Sequence, residues 1–271
     1  MKSATTEKRP VKGIRNIFFD LDNTLFRTRE HAEEARRTAL QAMVEHGLRI
    51  PAKQFHRACS ILEESVEEYT YYERFLFGYF LTRCEHEFKL KLSNIRKAIL
   101  AAAGFLQYDS IMDAKMSLPY CRTVLQDLSS MGYRLGLITN GEGIYQAYKI
   151  IRLNLDHIIS PDLIFISNEI GVRKPNPRIF NLVCEELNIL PKNCCYVGDS
   201  YQNDIVPAHK AGFFTIHCCY EKGAIKRYGQ IKPDRVIHDI NDLLDIFSAK
   251  RRCPHPIAQA PRERSQKFQI L

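Results

Sequence analysis

Two acidic residues stand one residue apart at the end of an apolar run, in the stretch FFDLDNTLF at residues 18–26. Asp20 and Asp22 follow residues typical of a buried strand, where an unpaired charge is strongly unfavourable. The acids therefore need positive partners, which a lysine or a divalent cation can supply. Carboxylates held in this way can act as nucleophiles, as proton carriers or as metal ligands.

Four short polar clusters follow predicted strands, and ligands of open parallel sheets bind beyond the carboxyl ends of the strands. The clusters are DLDNT at 20–24, TNG at 139–141, GVRKPNP at 171–177 and GDSYQND at 198–204. Each cluster alone has an ordinary explanation as a turn or a helix cap. Together they predict that one sheet edge collects Asp20, Asp22, Thr139, Asn140, Lys174, Asp199 and Asp204.

The residue types in these clusters favour a magnesium site. None of the nine histidines lies in the four clusters, and carboxylate oxygens alone suit Mg²⁺ better than zinc. A carboxylate that attacks a phosphate approaches another anion, and two unit charges about 4 Å apart repel by about 4 kcal/mol at an effective dielectric constant of about 20. Lys174 and a divalent cation would offset that repulsion.

Six short apolar segments predict a parallel sheet that is buried on both faces. They are IRNIFFD at 14–20, YRLGLITN at 133–140, DLIFIS at 162–167, NCCYVGD at 193–199, FFTIHCC at 213–219 and DRVIHD at 234–239. Helical segments lie between successive strands after residue 119, which indicates a Rossmann-like α/β fold with helices on both faces. Pro207 is expected to kink or shorten the helix at 202–212.

Residues 27–114 contain no convincing strand and predict an inserted α-helical subdomain. The apolar residues of its first helix recur at spacings of three and four, as on one helix face: Ala32, Ala35, Ala39 and Met43. Ser93 and Gly104 are expected to begin and end a later helix. Closely spaced aromatic residues between 69 and 80 favour a core between helices over a contact with substrate.

These elements divide the chain into three parts. Residues 1–26 and 115–250 are expected to form the α/β core, and residues 27–114 the inserted subdomain. Residues 251–271 contain three prolines and little apolar content, so we expect a basic tail that is disordered or draped over the surface.

The positive charge of the chain belongs to its two ends. Residues 1–15 carry a net charge of +4 and residues 248–271 a net charge of +5, so residues 16–247 carry −1 of the total +8. A nucleic-acid-binding domain usually carries a basic face on its folded part, so nucleic acid is not the expected partner. No apolar run approaches a membrane span of about 18 residues, and residues 1–10 resemble no secretory signal. A cytoplasmic protein with reduced thiols is expected.

The order and types of the four clusters resemble the haloacid dehalogenase (HAD) superfamily, most closely its phosphatases. The motif DxDx[TV] of those enzymes matches residues 20–24, their strand-end Ser or Thr matches Thr139, their helix-opening lysine matches Lys174, and their GDxxxxD matches residues 198–204. The resemblance covers about residues 14–247 and implies that the inserted subdomain is a C1-type cap. The segments GLITNG and NEIGVRKPNPRIF are also similar to archaeal magnesium-dependent HAD phosphatases.

The resemblance implies a role for each residue at the predicted sheet edge. Asp20 is the expected nucleophile, which forms an aspartyl-phosphate, and Asp22 is the expected proton carrier. Thr139 would hold a phosphoryl oxygen, and Lys174 would offset the negative charge. Asp20, Asp22 through its backbone carbonyl, Asp199 and Asp204 are the expected Mg²⁺ ligands, and Asn140 and Gly141 the expected neighbours of the phosphate.

Three alternatives to a phosphatase stay open at this point. A phosphomutase of the same superfamily keeps both acids and forms the same intermediate. A non-catalytic phosphate-binding module on the same fold would be expected to lose one acid, and a dehalogenase needs only the first. For a phosphatase, the cap favours a small phosphorylated metabolite, such as a sugar phosphate, a nucleoside monophosphate or a hydroxy-acid phosphate. A homodimer is compatible with the sequence.

Overall fold

One parallel sheet forms the centre of the molecule in the computed structural model, which describes residues 11–26, 28–68, 73–116, 120–220 and 228–248. Its strands are β1 Asn16–Phe19, β2 Arg134–Thr139, β3 Ile164–Ile166, β4 Cys194–Gly198, β5 Phe214–Cys218 and β6 Arg235–Ile237. Within the described ranges these strands lie in the order β3-β2-β1-β4-β5-β6, and all their pairings are parallel. Each predicted strand is present, and the predicted Rossmann-like α/β class is confirmed.

Between β1 and β2 the chain forms a helical insertion. In the described residues it contains α1 Thr28–Glu45, α2 Phe55–Glu68, α3 Glu73–Glu87 and α4 Asn94–Met116. The predicted inward face of α1 is buried, because the four residues Ala32, Ala35, Ala39 and Met43 are at most 4% exposed. Phe77 and Phe80 of α3 are also buried in this core, as expected for the aromatic segment. The side chains of residues 69–75 in that segment lie outside the described residues.

The prediction that a helix ends at Gly104 is wrong. Helix α4 runs through Gly104 to Met116. A Cβ atom at Gly104 would overlap the Met43 side chain of α1, so this glycine allows α1 and α4 to approach each other closely. The start of the helix is close to the prediction, since Arg96 N donates to Ser93 Oγ at 3.3 Å, as at a helix N-cap.

The remaining described helices cover the sheet. They are α5 Tyr120–Ser130, α6 Gly143–Arg152, α7 Ser167–Ile170, α8 Arg178–Glu186, α9 Val206–Lys210 and α10 Asp242–Phe247. As Pro207 led us to expect, the segment after β4 is not one regular helix: a π-helical turn, Tyr201–Ile205, precedes the five-residue α9. None of the helices in the described ranges has the length and apolarity to cross a membrane. The predicted tail at 251–271 lies outside the described residues.

Strands β1 and β4 lie side by side in the middle of the sheet, and all their residues are buried. Successive side chains enter opposite apolar layers, since Phe18 and Tyr196 pack in one cluster and Ile17 and Val197 in the other. Burial on both faces explains why these segments are apolar without alternation. The close packing of β1 and β4 fixes the positions of the residues that follow them, at the carboxyl edge of the sheet.

Candidate active site

The carboxyl ends of β2, β1 and β4 are neighbours at one edge of the sheet. Thr139 ends β2, Asp20 follows β1 directly and Asp199 follows β4. The pairing continues beyond β1, because Asp20 N donates to Val197 O at 2.9 Å. Thr139 and Asp20 are buried. The sheet therefore brings together three of the predicted site residues.

Lys174 lies at the centre of this edge, carried there by the loop between α7 and α8. Its Nζ donates to Asp20 Oδ1 at 2.7 Å, to Asp204 Oδ1 at 2.6 Å and to the Tyr196 hydroxyl at 2.8 Å. Lys174 is only 3% exposed, so these three acceptors take the place of water around its three protons. The structure thus joins three predicted residues, Asp20, Lys174 and Asp204, through one ammonium group.

Burial and neighbouring charges set the protonation of this group. Burial is the main cause that raises the pKa of Asp20 to about 8, with Asp204 and Asp199 adding to the rise and Lys174 opposing it. Burial alone would lower the pKa of Lys174, but the carboxylates of Asp20 and Asp204 outweigh it and raise that pKa. The ammonium therefore stays charged, and the excess of carboxylates around it favours a further positive charge.

Three carboxylates form a cluster that fits a metal ion. Oxygen atoms of Asp20, Asp199 and Asp204 all lie within 4.8 Å of one another. Only oxygen donors are offered, and the site is formed by carboxylates, which suits a hard cation such as Mg²⁺. The predicted ligand side chains are therefore close enough to share one cation.

Asp204 is held firmly within this cluster. Its Oδ1 accepts from Lys174, and its Oδ2 accepts from Ser200 N at 2.9 Å. The side chain lies against the end of β4, where a Cβ atom at Gly198 would overlap it. The glycine of the GDSYQND cluster is thus required for the close approach of Asp204 to the strand.

Asn140 and Gly141 make their described hydrogen bonds within the protein. Asn140 Nδ2 donates to Lys174 O at 2.9 Å, and Lys174 N donates to Asn140 Oδ1 at 2.9 Å. Gly141 N donates to Ser167 Oγ at 3.0 Å. Asn140 therefore fastens the Lys174 loop to the end of β2. The predicted proximity of Asn140 and Gly141 to a phosphate stays a prediction.

Asp22 faces helix α6 and not the ammonium group of Lys174. Lys149 Nζ donates to Asp22 Oδ1 at 2.9 Å and to Asp22 Oδ2 at 3.1 Å. Gln146 Nε2 donates to Asp22 Oδ2 at 3.1 Å and also lies 3.2 Å from Thr139 Oγ1. The two acids of the DLD segment therefore pair with different lysines, Asp20 with Lys174 and Asp22 with Lys149.

Sequence reasoning missed Gln146 and Lys149, although α6 carries a signal for them. Gln146 and Lys149 are 2% and 3% exposed, whereas Ile144 and Ile151 of the same helix are 80% and 61% exposed. Part of the polar face of this helix is therefore turned inward. Two polar residues three positions apart lie on one helix face, and such a pair directly after a polar strand end is the pattern to look for.

Tyr196 and His217 are two further residues that the sequence did not indicate. The Tyr196 hydroxyl donates to Ile138 O at 2.7 Å while it accepts from Lys174. His217 Nε2 lies 2.8 Å from Asp199 O, and because a carbonyl oxygen can only accept, this nitrogen carries the proton. Both side chains lie inside apolar strand segments, where nothing in the sequence separates them from core residues.

A buried carboxylate paired with a buried ammonium group lies at the carboxyl edge of the parallel sheet, beside two further carboxylates. The chain belongs to the family of haloacid dehalogenase-like hydrolases, which it matches over residues 14–212. It is 34% identical over 243 residues to the glyceraldehyde 3-phosphate phosphatase of Pyrococcus furiosus, covering 88% of this chain and 94% of that relative. The glyceraldehyde 3-phosphate phosphatase of Methanopyrus kandleri is 35% identical, with 86% and 97% covered.

The fold agrees with solved structures of the same family. The HAD-hydrolase YfnB of Bacillus subtilis, solved bound to magnesium, superposes with a TM-score of 0.63 over 87% of this chain and 99% of its own, at 20% identity. At that identity the likeness shows the fold alone. The predicted superfamily and the predicted enzyme class, a phosphoric monoester hydrolase, are confirmed by the family match and the curated relatives.

Proposed function

We propose that this chain is a Mg²⁺-dependent phosphatase that hydrolyses a small phosphate monoester through an aspartyl-phosphate on Asp20. One observation carries the proposal: Lys174 Nζ lies 2.7 Å from Asp20 and 2.6 Å from Asp204, inside a cluster that also contains Asp199. This arrangement joins a nucleophile, a fixed positive charge and hard oxygen ligands in one buried place. An anion attacks a phosphate readily only where positive charge is already in position.

In the proposed first step Asp20 attacks phosphorus, the bond from phosphorus to the leaving oxygen breaks, and Asp22 gives that oxygen a proton. In the second step Asp22 takes a proton from a water molecule, which attacks the aspartyl-phosphate, releases inorganic phosphate and restores the Asp20 carboxylate. Thr139 holds a phosphoryl oxygen through its hydroxyl, with Asn140 and Gly141 nearby. Lys174 keeps the carboxylate and the phosphate from repelling each other.

The proposed Mg²⁺ ligands are the side chains of Asp20 and Asp199 and the backbone carbonyl of Asp22. Asp204 would bind the ion directly or through a water molecule. Because both of its oxygens are engaged, by Lys174 and by Ser200 N, the water-mediated contact is the one we favour. Bound Mg²⁺ supplies positive charge that offsets the carboxylates and the phosphate.

Glyceraldehyde 3-phosphate is the first substrate to test, within a proposed class of short phosphorylated metabolites. Two archaeal relatives named for that activity are 34% and 35% identical to this chain over most of its length. We also propose that the insertion at 27–114 is a cap over the site and that residues 1–26 and 115–250 form the core. The insertion is tied to the site helix, since Tyr148 of α6 donates to Asp109 of α4 at 3.3 Å. A cap limits access and favours small substrates.

The cellular setting and assembly complete the proposal. Cys84, Cys195 and Cys218 are buried free thiols, which is typical of proteins from a reducing compartment, so we propose the cytoplasm. We propose a homodimer as the assembly, and size-exclusion chromatography with light scattering measures the mass of the assembly in solution.

The experiment that tests the proposed function measures phosphate release by the purified chain from a panel of phosphorylated metabolites, with Mg²⁺ and with EDTA. We expect release that requires Mg²⁺ and falls about 1,000-fold or more in Asp20→Asn, with an unchanged circular dichroism spectrum. Asp162→Asn is the matched control, because Asp162 is an exposed acid away from the clusters. Turnover by Asp20→Asn near that of wild type would overturn the nucleophile assignment. Substrate isomerisation without phosphate release would indicate a phosphomutase.

A further inference from the structure

Helix α6 presents a polar face to the carboxyl ends of strands β1 and β2, where Asp22 and Thr139 lie. Gln146 and Lys149 lie three residues apart, so they share this face, and both are buried. Lys149 Nζ donates to both carboxylate oxygens of Asp22, at 2.9 and 3.1 Å. A buried lysine is unfavourable unless it is paired, and here its partner is the residue assigned to carry the proton.

Gln146 connects Asp22 with the next strand end. Its Nε2 lies 3.1 Å from Asp22 Oδ2, 3.2 Å from Thr139 Oγ1 and 2.6 Å from Asn140 O. One amide group thus spans the Asp22 carboxylate and the Thr139 hydroxyl. Space is limited here, because a Cβ atom at Gly141 would overlap the Gln146 side chain. The rotation of Asp22 is therefore restricted by α6 from two directions.

We propose that Lys149 is a positioning residue, which holds the Asp22 carboxylate at a fixed place relative to Thr139 and Asp20, and that Gln146 assists it. This inference rests on the proposed function, in which Asp22 protonates the leaving oxygen. It deepens that function, because it names the contacts that fix the orientation of the acid assigned to carry the proton. Lys149 is linked to the proposed chemistry through Asp22, since its ammonium donates to both carboxylate oxygens of that residue.

The expected consequence of losing Lys149 depends on the leaving group. A poor leaving group, such as the alkoxide of an alkyl phosphate, needs a proton from a well-placed acid, whereas p-nitrophenolate departs without one. Misplacement of a catalytic group by about 1 Å can slow a reaction by about 100-fold. We therefore expect Lys149→Met to lower kcat/KM by about 10- to 100-fold for an alkyl phosphate and by less than about 3-fold for p-nitrophenyl phosphate.

The experiment measures the ratio of kcat/KM for glyceraldehyde 3-phosphate to that for p-nitrophenyl phosphate. Because kcat/KM reports steps up to departure of the leaving group, later hydrolysis of the intermediate does not enter the ratio. Lys97→Met is the matched control, since Lys97 also pairs with a carboxylate, Glu85 at 2.8 Å, within the helical insertion. Lys149→Arg keeps the cation and its donors, and we expect it to recover part of the ratio.

A double-mutant cycle separates positioning from other roles. If Lys149 acts through Asp22, then adding Lys149→Met to Asp22→Asn leaves the ratio unchanged, whereas independent effects multiply. Independent effects of the two substitutions on the ratio overturn the proposal. An equal decrease in kcat/KM for both substrates, caused by a higher KM, also overturns it and indicates that Lys149 binds substrate. Should Lys149→Met fail to fold, Gln146→Met is measured in the same cycle, and an unchanged ratio overturns the proposal for α6.

The outcome also distinguishes this inference from the proposed function. A wild-type chain that hydrolyses phosphate esters only with Mg²⁺ and loses activity in Asp20→Asn, but shows the same ratio in Lys149→Met, overturns this inference alone. A wild-type chain that releases no phosphate overturns the proposed function and, with it, the role assigned to Lys149.

Discussion

The two buried lysines of the site face the two acids of one short segment, yet their surroundings differ. The Lys174 side chain is 3% exposed, and its partners Asp20 and Asp204 are 10% and 1% exposed. The Lys149 side chain is 4% exposed, but its partner Asp22 is 28% exposed. Lys174 therefore forms a closed ion pair, and Lys149 forms an open one whose carboxylate still reaches water.

This difference in exposure indicates that the two lysines have different effects on stability and on the site. In the closed pair, neither carboxylate can exchange the ammonium for water, so folding and charge balance both depend on Lys174. In the open pair, water can hydrate Asp22 if the cation is removed, which leaves its orientation as the main loss. We infer that Lys174 supports the fold and the nucleophile together, whereas Lys149 supports the placement of one acid.

The largest expected effect is that of Lys174→Met on stability. Removing the ammonium leaves the buried carboxyl groups of Asp20 and Asp204 without their cation, and breaking a buried pair from one side lowers the free energy of unfolding by about 3–5 kcal/mol. For Lys149→Met we expect a loss of about 1 kcal/mol or less, because Asp22 remains partly hydrated. Urea denaturation of both variants in EDTA measures the difference.

The stabilities of Lys174→Met and Lys149→Met test whether the closed and the open ion pair differ. Lys97→Met, at a partly exposed ion pair outside the site, sets the scale for an ordinary pair. Equal losses of stability in Lys174→Met and Lys149→Met would show that the closed and open pairs do not differ in the way their exposure indicates. Activity is measured alongside, and we expect Lys174→Met to be inactive towards alkyl and aryl phosphates alike.

The three residues of the closed pair, Asp20, Asp204 and Lys174, could be predicted from the sequence, whereas of the open pair only the acid, Asp22, was predicted. Asp20 and Asp199 follow continuous apolar runs, so their position at the sheet edge follows from the period and burial of the strands. Lys174 was indicated by its place in a recognisable motif. Lys149 belongs to a helix in which Ile144 and Ile151 are exposed, so the apolar residues of that helix do not mark which of its faces is buried.

Glycine shows the same limit in another part of the fold. A glycine such as Gly104 often ends a helix, yet α4 continues through it. Its role becomes visible only when α1 lies against α4, because the Met43 side chain then fills the space of the missing Cβ. Local propensity is overridden here by tertiary packing, as it also is for Lys149.

The second prediction concerns Mg²⁺ and pH at the closed pair. Burial raises the pKa of Asp20 from its ordinary value of 3.8 to about 8 in the folded chain, so protonation favours the folded state. Without metal, this contribution to the free energy of unfolding is fully present below about pH 4, declines as pH rises towards about 8 and is lost above it. Protons and Mg²⁺ compete for the same carboxylates, so we expect Mg²⁺ to stabilise the chain more at pH 9 than at pH 6.

Thermal unfolding at both pH values, with EDTA or saturating Mg²⁺, measures this effect, which we expect to be about 1–3 kcal/mol. Asp20→Asn should lose most of the dependence, since its amide does not titrate. Lys149→Met should keep the dependence, because neither the Lys149 nor the Asp22 side chain belongs to the carboxylate cluster. Greater stabilisation by Mg²⁺ at pH 6 than at pH 9 would contradict the protonation of Asp20.

Tyr196→Phe has a smaller expected effect than Lys174→Met, because it removes only one acceptor of the closed pair. The hydroxyl accepts from Lys174 at 2.8 Å and donates to Ile138 O at 2.7 Å, so its loss leaves both partners short of a bond. We expect a loss of about 1–3 kcal/mol in the free energy of unfolding and a lower kcat. Tyr133→Phe is the matched control, because the Tyr133 hydroxyl donates to Phe247 O at 3.2 Å in a buried place outside the site. Loss of stability in both variants with loss of kcat only in Tyr196→Phe would place Tyr196 within the Lys174 group. An unchanged kcat in both would limit the closed pair to Asp20, Asp204 and Lys174.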